Sequence, residues 1–441
     1  MEGVPYIHAS VLQRWLQDTL GAVVTPDAQS RISAPLNQFL QKLIYRHKGL
    51  PYYPANEQDV PYVPPALDLE VHRWFNQTFV PMVHHLREPV IRKANWPAGF
   101  KWAAAVTHDV DIVRKQTLGT LWRVAPAKIL NYILSGTDLA DPYWVFPDLI
   151  PVYRQHHIRT TTFFLTRARE KWRYRYAIRH PIFKTAISEW MQAGHEVGLH
   201  TSLKALANTT QIQKEKRILE AVTGNPVKGM RQHYLRVHFP EDWQVIRTHG
   251  FQYDSSLGFN TSLGFRGGTC FPFAPDPEDT QLVEIPFSVM DYPWMALDNP
   301  PQFPTFTRLL GDIQQLQGLL NIVIHPHHIA EPAFRPHWEY LMYQLTSDSI
   351  WIAPLQEIAA WWQQRLNTRL SLQRLDIHQY RLTVDSSGSL KKLALEVHVP
   401  HGVTLSTNGA SLHKISNNSW RLEFSNCTEH HTQLILEVVQ S

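Results

Sequence analysis

Two carboxylates stand two residues apart where an apolar run gives out: WAAAVTHDVD, residues 102–111, ends in Asp109 and Asp111. The run reads as a buried strand, and strand side chains alternate, so both acids should project to one side of its end. Like charges that close resist joint ionisation unless a cation sits beside them, so the pair suggests a metal with a base next to it. The plain alternative, an aspartate opening a turn, has less force here because later runs also end in polar groups of complementary chemistry. His200 closes GHEVGLHTS (194–202), Arg231 stands in GMRQHY (229–234), Asp254 in YDSSLG (253–258), and His325 follows the apolar run before HPHH (325–328).

The elements that must position these residues come next. From about 98 to 365 the chain alternates strand-like and helix-like segments. The strands expected are 102–107, 160–166, 196–200, 227–231, 251–254, 282–289, 320–325 and 350–353, with amphipathic helical patterns at 143–156, 182–193, 210–222, 241–248, 305–316, 336–345 and 355–366. Repeated strand and helix imply parallel strands joined by right-handed crossovers, and seven or eight such units suggest a distorted parallel (β/α) barrel. Active sites of such barrels lie at the C-terminal strand ends, where Asp109, Asp111, His200, Arg231, Asp254 and His325 all fall.

Residues 1–97 read as an N-terminal accessory region, helical at 11–20, 36–45 and 71–86 and interrupted by a proline-rich stretch at 50–65. Residues 98–367 form the barrel unit, and 368–441, with short alternating runs between Ser, Asn and Gly turns, read as a small antiparallel β-sandwich.

Composition narrows the class. Of 441 residues, 44% are hydrophobic and 18% charged, ordinary for a folded globular protein. The net charge of +4 is scattered, with no basic block, so a nucleic-acid partner is not expected. Two cysteines, Cys270 and Cys427, imply neither a disulfide framework nor a thiolate metal site. No run of 18 apolar residues occurs, and the first residues carry no export signal. The expectation is a cytoplasmic protein without a transmembrane segment, with peripheral envelope association as an option. The 15 tryptophans and 16 tyrosines are consistent with stacking on sugar rings.

Taken together and in chain order, these motifs resemble those of the polysaccharide deacetylases, carbohydrate esterases that remove N-acetyl groups from chitin, peptidoglycan and related glycans. The resemblance spans about residues 100–330. THDVD is similar to the family's Asp-x-Asp motif, which implies Asp109 as general base and Asp111 as metal ligand. GHEVGLHT resembles the second motif and implies His200 as a ligand. Arg231 matches the arginine that orients the catalytic Asp, Tyr234 the residue whose amide serves the oxyanion, Asp254 a groove-shaping segment, and His325 the general acid. The implied cofactor is zinc or another divalent ion, and the implied partner is an N-acetylated glycan.

One position departs: the family has a second histidine four residues after the first, and here that position is Lys204. An ammonium has no lone pair for a metal. Asp111 and His200 alone leave the ion one protein ligand short of the usual three. His233 and His327 are the candidates for a third ligand; His108 and His195 are weaker ones. The alternatives are that Lys204 takes the place of the cation, giving a silent glycan-binding homologue with no metal, or that His325 and His327 form a pair in another type of metal-dependent hydrolase.

Overall fold

The computed structural model describes residues 22–47, 60–115, 141–166, 176–276, 279–386, 388, 392–408, 410–424 and 431–440. The helix expected at 11–20 lies outside them. In chain order the first strands are β1 Tyr62–Val63, β2 Val90–Lys93, β3 Trp102–Val110, β4 Thr161–Leu165, β5 Glu196–Thr201 and β6 Gly229–Gln232. Then come β7 Tyr253–Asp254, β8 Leu263–Gly264, β9 Val283–Glu284, β10 Val289–Met290, β11 Leu319–Ile324 and β12 Ile350–Ile352. The C-terminal strands are β13 Arg369–Arg374, β14 Gln379–Asp385, β15 Ala394–His398, β16 Val403–Thr407, β17 Ser411–Ser416, β18 Ser419–Glu423 and β19 His431–Gln440.

The central sheet is parallel and ordered β10-β11-β3-β4-β5-β6-β7-β9. β12 pairs with the start of β3 (Ile350↔Trp102) and β4 with its end (Thr107↔Thr161), so both occupy one edge of β3 in succession. Every residue of β3 is buried, which is why its sequence is nearly unbroken apolar before the acids. The two ends of the sheet, β9 and β10, are neighbours in sequence. The segment expected as one strand at 282–289 therefore corrects to two short strands: β9 pairs with β7, β10 pairs with β11, and the chain between them kinks at Ile285-Pro286. Proline cannot donate to a ladder, so the break falls there. The barrel is thus closed by the covalent chain rather than by a last row of hydrogen bonds, which makes it distorted.

Helices flank the strands within three residues of the expected ranges, for example Thr209–Thr223 and Pro304–Leu316. The first is set by sequence at both ends: Asn208 Oδ1 accepts the Gln211 amide, and Gly224, at φ 70°, takes the left-handed conformation after the last turn.

Beyond the barrel, two antiparallel four-stranded sheets, β13-β14-β19-β16 and β17-β18-β15-β2, form the sandwich. β2 comes from the N-terminal region read as helical and proline-rich: Val90–Lys93 crosses over to pair with β15. The rest of that region folds as the helix Pro26–His47 and as Ala66–Trp74 continued through Phe75–Phe79 and Val80–His85. Among the described residues no helix is long and apolar enough to cross a membrane.

Candidate metal centre

The C-terminal ends of β3, β5, β6, β10 and β11 converge. Alternation along β3 puts Thr107 and Asp109 on one side, and one buried arginine proves it: Arg231 Nη1 donates to Thr107 Oγ1 at 2.9 Å and to Asp109 Oδ1 at 2.8 Å. His108 points the other way, its Nδ1 donating to the Ile324 carbonyl at 3.0 Å while Tyr153 OH lies 2.7 Å from Nε2. It is core, as is His195, stacked on Trp190 at 4.1 Å.

Arg231 is fully buried and donates four hydrogen bonds. Its Nε and Nη2 donate to the Ser255 carbonyl and hydroxyl at 2.8 and 2.9 Å, and its guanidinium lies over the Phe163 ring at 4.5 Å. Two glycines make room for this layer: a Cβ on Gly198 would meet the Phe163 ring at 2.6 Å, and one on Gly229 would meet the Tyr253 ring at 1.8 Å.

Asp111, His200 and His233 bring one donor atom each to within 4.8 Å of one another. His200 Nε2 is 3.3 Å from Asp111 Oδ1, and His233 Nε2 is 3.3 Å from Asp111 Oδ2. His200 Nδ1 donates to the Arg231 carbonyl at 2.9 Å, a partner that leaves the Nε2 lone pair facing the acid. Asp111 Oδ1 is buried and accepts no hydrogen bond, so an electropositive partner is called for. Burial alone would raise the Asp111 carboxyl, but His200 and His233 hold it well below the usual carboxylate range. For His200 burial opposes the charge, and Asp109 and Asp111 win, raising it. Two imidazoles and a carboxylate with an open side fit zinc or another borderline divalent ion.

Two further groups face this triad. Asp109 Oδ2 is 3.9 Å from His200 Nε2, with the other oxygen held by Arg231. His325 Nε2 is 3.7 Å from Asp111 Oδ2. Its Nδ1 donates to Asp291 Oδ1 at 2.8 Å, and its backbone amide donates to Asp291 Oδ2 at 2.6 Å. Asp291 also accepts from His328 Nδ1 at 2.7 Å. Burial would lower His325, but Asp291, with help from Asp111 and Asp109, pushes it up to about 9.

Sequence reasoning missed Asp291 and His328. The signal was available: Asp291 is the first residue past β10, but reading 282–289 as one strand put it out in a loop. His233 was one of two candidates, and the structure brings it, not His327, to Asp111. His327 Nε2 lies 3.2 Å from Tyr292 OH, and burial first, then the neighbouring His325 and His328, lowers its pKa to about 3. Lys204 is exposed on the turn after β5, while the groups that hold Asp111 are His200 and His233. Asp254 is also corrected as a groove residue. It is fully buried, accepts from Ser256 Oγ at 2.6 Å and faces Glu284, so it supports the site from behind.

Tyr234 follows His233 at φ 60°, and Leu235 at φ 51° continues the left-handed turn. Two such residues in a row cost about 1–3 kcal/mol each, strain that collects at functional sites. The turn stacks the Tyr234 ring on His233 at 4.1 Å while leaving Tyr234 40% exposed. Tyr292, 47% exposed, meets the His325 ring edge-on at 5.0 Å.

No family model matches the sequence, and no curated protein matches it. Solved structures do match at low similarity. A Mycobacterium smegmatis protein classed as a polysaccharide deacetylase is 20% identical, with 61% of this chain and 92% of that chain covered and a TM-score of 0.42. An allantoinase is 17% identical over the same shares, with a TM-score of 0.42. A CE4 family pseudoenzyme from Bacillus anthracis is 14% identical over 58% of this chain and 65% of its own, with a TM-score of 0.32.

Proposed function

We propose that the chain is a metal-dependent hydrolase that removes N-acetyl groups from an N-acetylated glycan. The observation that carries this reading is the donor triad Asp111, His200 and His233, flanked by one acid held by an arginine and one histidine held by an acid. A divalent ion held by the triad would supply Lewis acidity toward an amide carbonyl and toward water.

The remaining chemistry belongs to side chains. Arg231 occupies Asp109 Oδ1, so Oδ2 is the basic atom turned to the centre, and it accepts the proton of the attacking water. Asp291 fixes the His325 ring with Nε2 inward and keeps it protonated at neutral pH, ready to deliver a proton to the departing amine nitrogen. Oxyanion donation by the Tyr234 amide stays part of the proposal; the support for it is the strained turn that aims this segment at His233. The exposed rings of Tyr234 and Tyr292 beside the centre suit a sugar face.

The silent glycan-binding alternative, with Lys204 in place of a metal ligand, is the second reading; the exposed position of Lys204 and the three donors around Asp111 support the first. The test is acetate release from an N-acetylated chito-oligosaccharide in the presence of zinc. Asp109→Asn should lower kcat by about 10³-fold or more with little change in metal content. A wild-type protein that binds zinc and releases no acetate from chitin or peptidoglycan fragments would sink the proposal.

A further inference from the structure

A half-open cavity that shares no residue with this chemistry lies between the sandwich, the helix Ala66–Trp74 and the end of the helix Pro304–Leu316; its volume is about 560 Å³, within the usual range for small-molecule sites. Register shows what faces it. Across the sheet β17-β18-β15-β2, His413 pairs with Arg421, Arg421 with Glu396, and Glu396 with Arg92. Cross-strand partners share a face, so these four form one polar row. The alternate residues Leu395, Val397 and Leu422 are fully buried, and they pack the sandwich interior.

The polar row is therefore on the outer face of the sandwich, where water would ordinarily solvate it. Here the helix and the barrel cover Glu396 and part of Arg92 and Arg421, while His413 at the end of the row stays exposed, and the cavity lies in the space between them. Glu396 is satisfied by Arg92, whose Nε and Nη2 lie 2.6 and 2.5 Å from Oε2. Arg421 is not matched in the same way. Its Nη1 donates to the Phe100 carbonyl at a long 3.4 Å, and its Nε is buried with no hydrogen-bond partner. His398 Nε2 is buried and unpartnered as well. Lys101 stands at the exposed rim, next in sequence to the carbonyl that Arg421 touches. Three acids share the lining: Glu396 is held by Arg92, Glu423 lies 3.7 Å from His413 Nε2, and burial raises the Asp68 carboxyl to about 7, which reduces its charge at neutral pH. A buried guanidinium N–H left unmet, here Arg421 Nε, costs a protein free energy that a bound anion returns.

We propose that this cavity binds a small molecule carrying an oxyanion, a phosphate ester or a carboxylate, seated on Arg421 with Lys101 at its mouth and its body against Phe75 and Phe271. The site is separate from the metal centre and does not depend on the function assigned there.

The test is isothermal titration of the full chain with three probes: inorganic phosphate, succinate and neutral N-acetylglucosamine. Saturable binding of phosphate alone assigns a phosphate ester, and succinate alone a carboxylate. Arg421→Met should weaken the bound anion about tenfold or more, as loss of a charge-assisted hydrogen bond does. Lys101→Met, at an exposed position that folding does not need, should weaken it by a smaller factor and serves as the deciding variant if Arg421→Met does not fold. Asp111→Asn should leave anion affinity unchanged. The proposal is overturned if neither anion binds saturably, if both cavity variants bind like wild type, or if Asp111→Asn abolishes the binding and so moves it to the metal centre.

Discussion

Replacing His233 by alanine should strip the metal, and replacing Lys204 should not. His233 offers one of three protein donors around Asp111, with Nε2 at 3.3 Å from its carboxylate. Zinc held by four protein ligands binds with about 10–16 kcal/mol, or roughly 2.5–4 kcal/mol per ligand. At 1.4 kcal/mol per decade, losing one of three ligands weakens zinc by roughly 10²- to 10³-fold. Lys204 is exposed, so Lys204→Ala should stay within about twofold. His327→Ala is the matched control, because that ring contacts Tyr292 rather than the triad. The assay is a competitive zinc titration against a chromophoric chelator, with metal content after dialysis measured alongside. If His233→Ala keeps wild-type affinity while His327→Ala or Lys204→Ala loses it, the ligand assignment is wrong and so is the inference from distances to coordination.

Other outcomes can be stated from the same contacts. Arg231→Met leaves Asp109 buried without its cation and Ser255 without its donor, which should destabilise the fold by about 3–5 kcal/mol, read by urea unfolding. Asp291→Asn removes the carboxylate that raises His325, so the alkaline limb of a pH–rate profile should move to lower pH, and an unmoved limb would mean that another group titrates there. His108, fully buried, is lowered from 6.5 to about 4 by burial above all. The unfolded chain then binds more protons than the native one between those values, so stability is complete above pH 6.5 and falls as pH drops toward 4, by about 3 kcal/mol for this group. Denaturant midpoints that stay flat across that window would contradict the burial argument. Gly229→Ala drives a methyl into the Tyr253 ring and should cost about 1–3 kcal/mol or more, with a lower melting temperature as readout.

The parts of the centre that were legible in sequence are those fixed by strand periodicity. Asp109, His200 and Arg231 sit inside strands whose neighbours are parallel and in register, His200 opposite Arg231 and Asp109 opposite Phe163, so an apolar run ending in a polar residue was enough to place them. Asp111 and His325 lie one residue beyond their strands, and the same reasoning reached them. The rest depended on what happens where periodicity stops. His233 and His327 were equivalent as text, each two residues past a marked strand-end residue. A left-handed turn at Tyr234 and Leu235 keeps the first against Asp111, whereas a short helix, Pro326–Ile329, carries the second away. Proline at the start of that helix is a signal that could have separated them, since it favours a new helical turn over continued strand.

Asp291 was lost for a related reason: the barrel closes by a kink at Pro286 that divides one apolar run into two strands on opposite edges of the sheet, and only the second of them aims at the centre. A proline inside an apparent central strand argues against that strand, and applying this rule would have ended it early and left Asp291 at a strand terminus, alongside the other residues that converge. The acid that holds His325 is therefore a consequence of how the barrel closes. Closure through the chain turns Val289–Met290 against Leu319–Ile324, which sets Asp291 beside the first residue after that strand. A variant that relaxes the kink, Pro286→Ala, touches none of the site groups, yet it should loosen the Asp291–His325 contact. It should show as a larger loss in kcat than in zinc affinity, because the metal triad comes from β3, β5 and β6 on the unperturbed side. Equal losses in both would mean that the kink serves only stability.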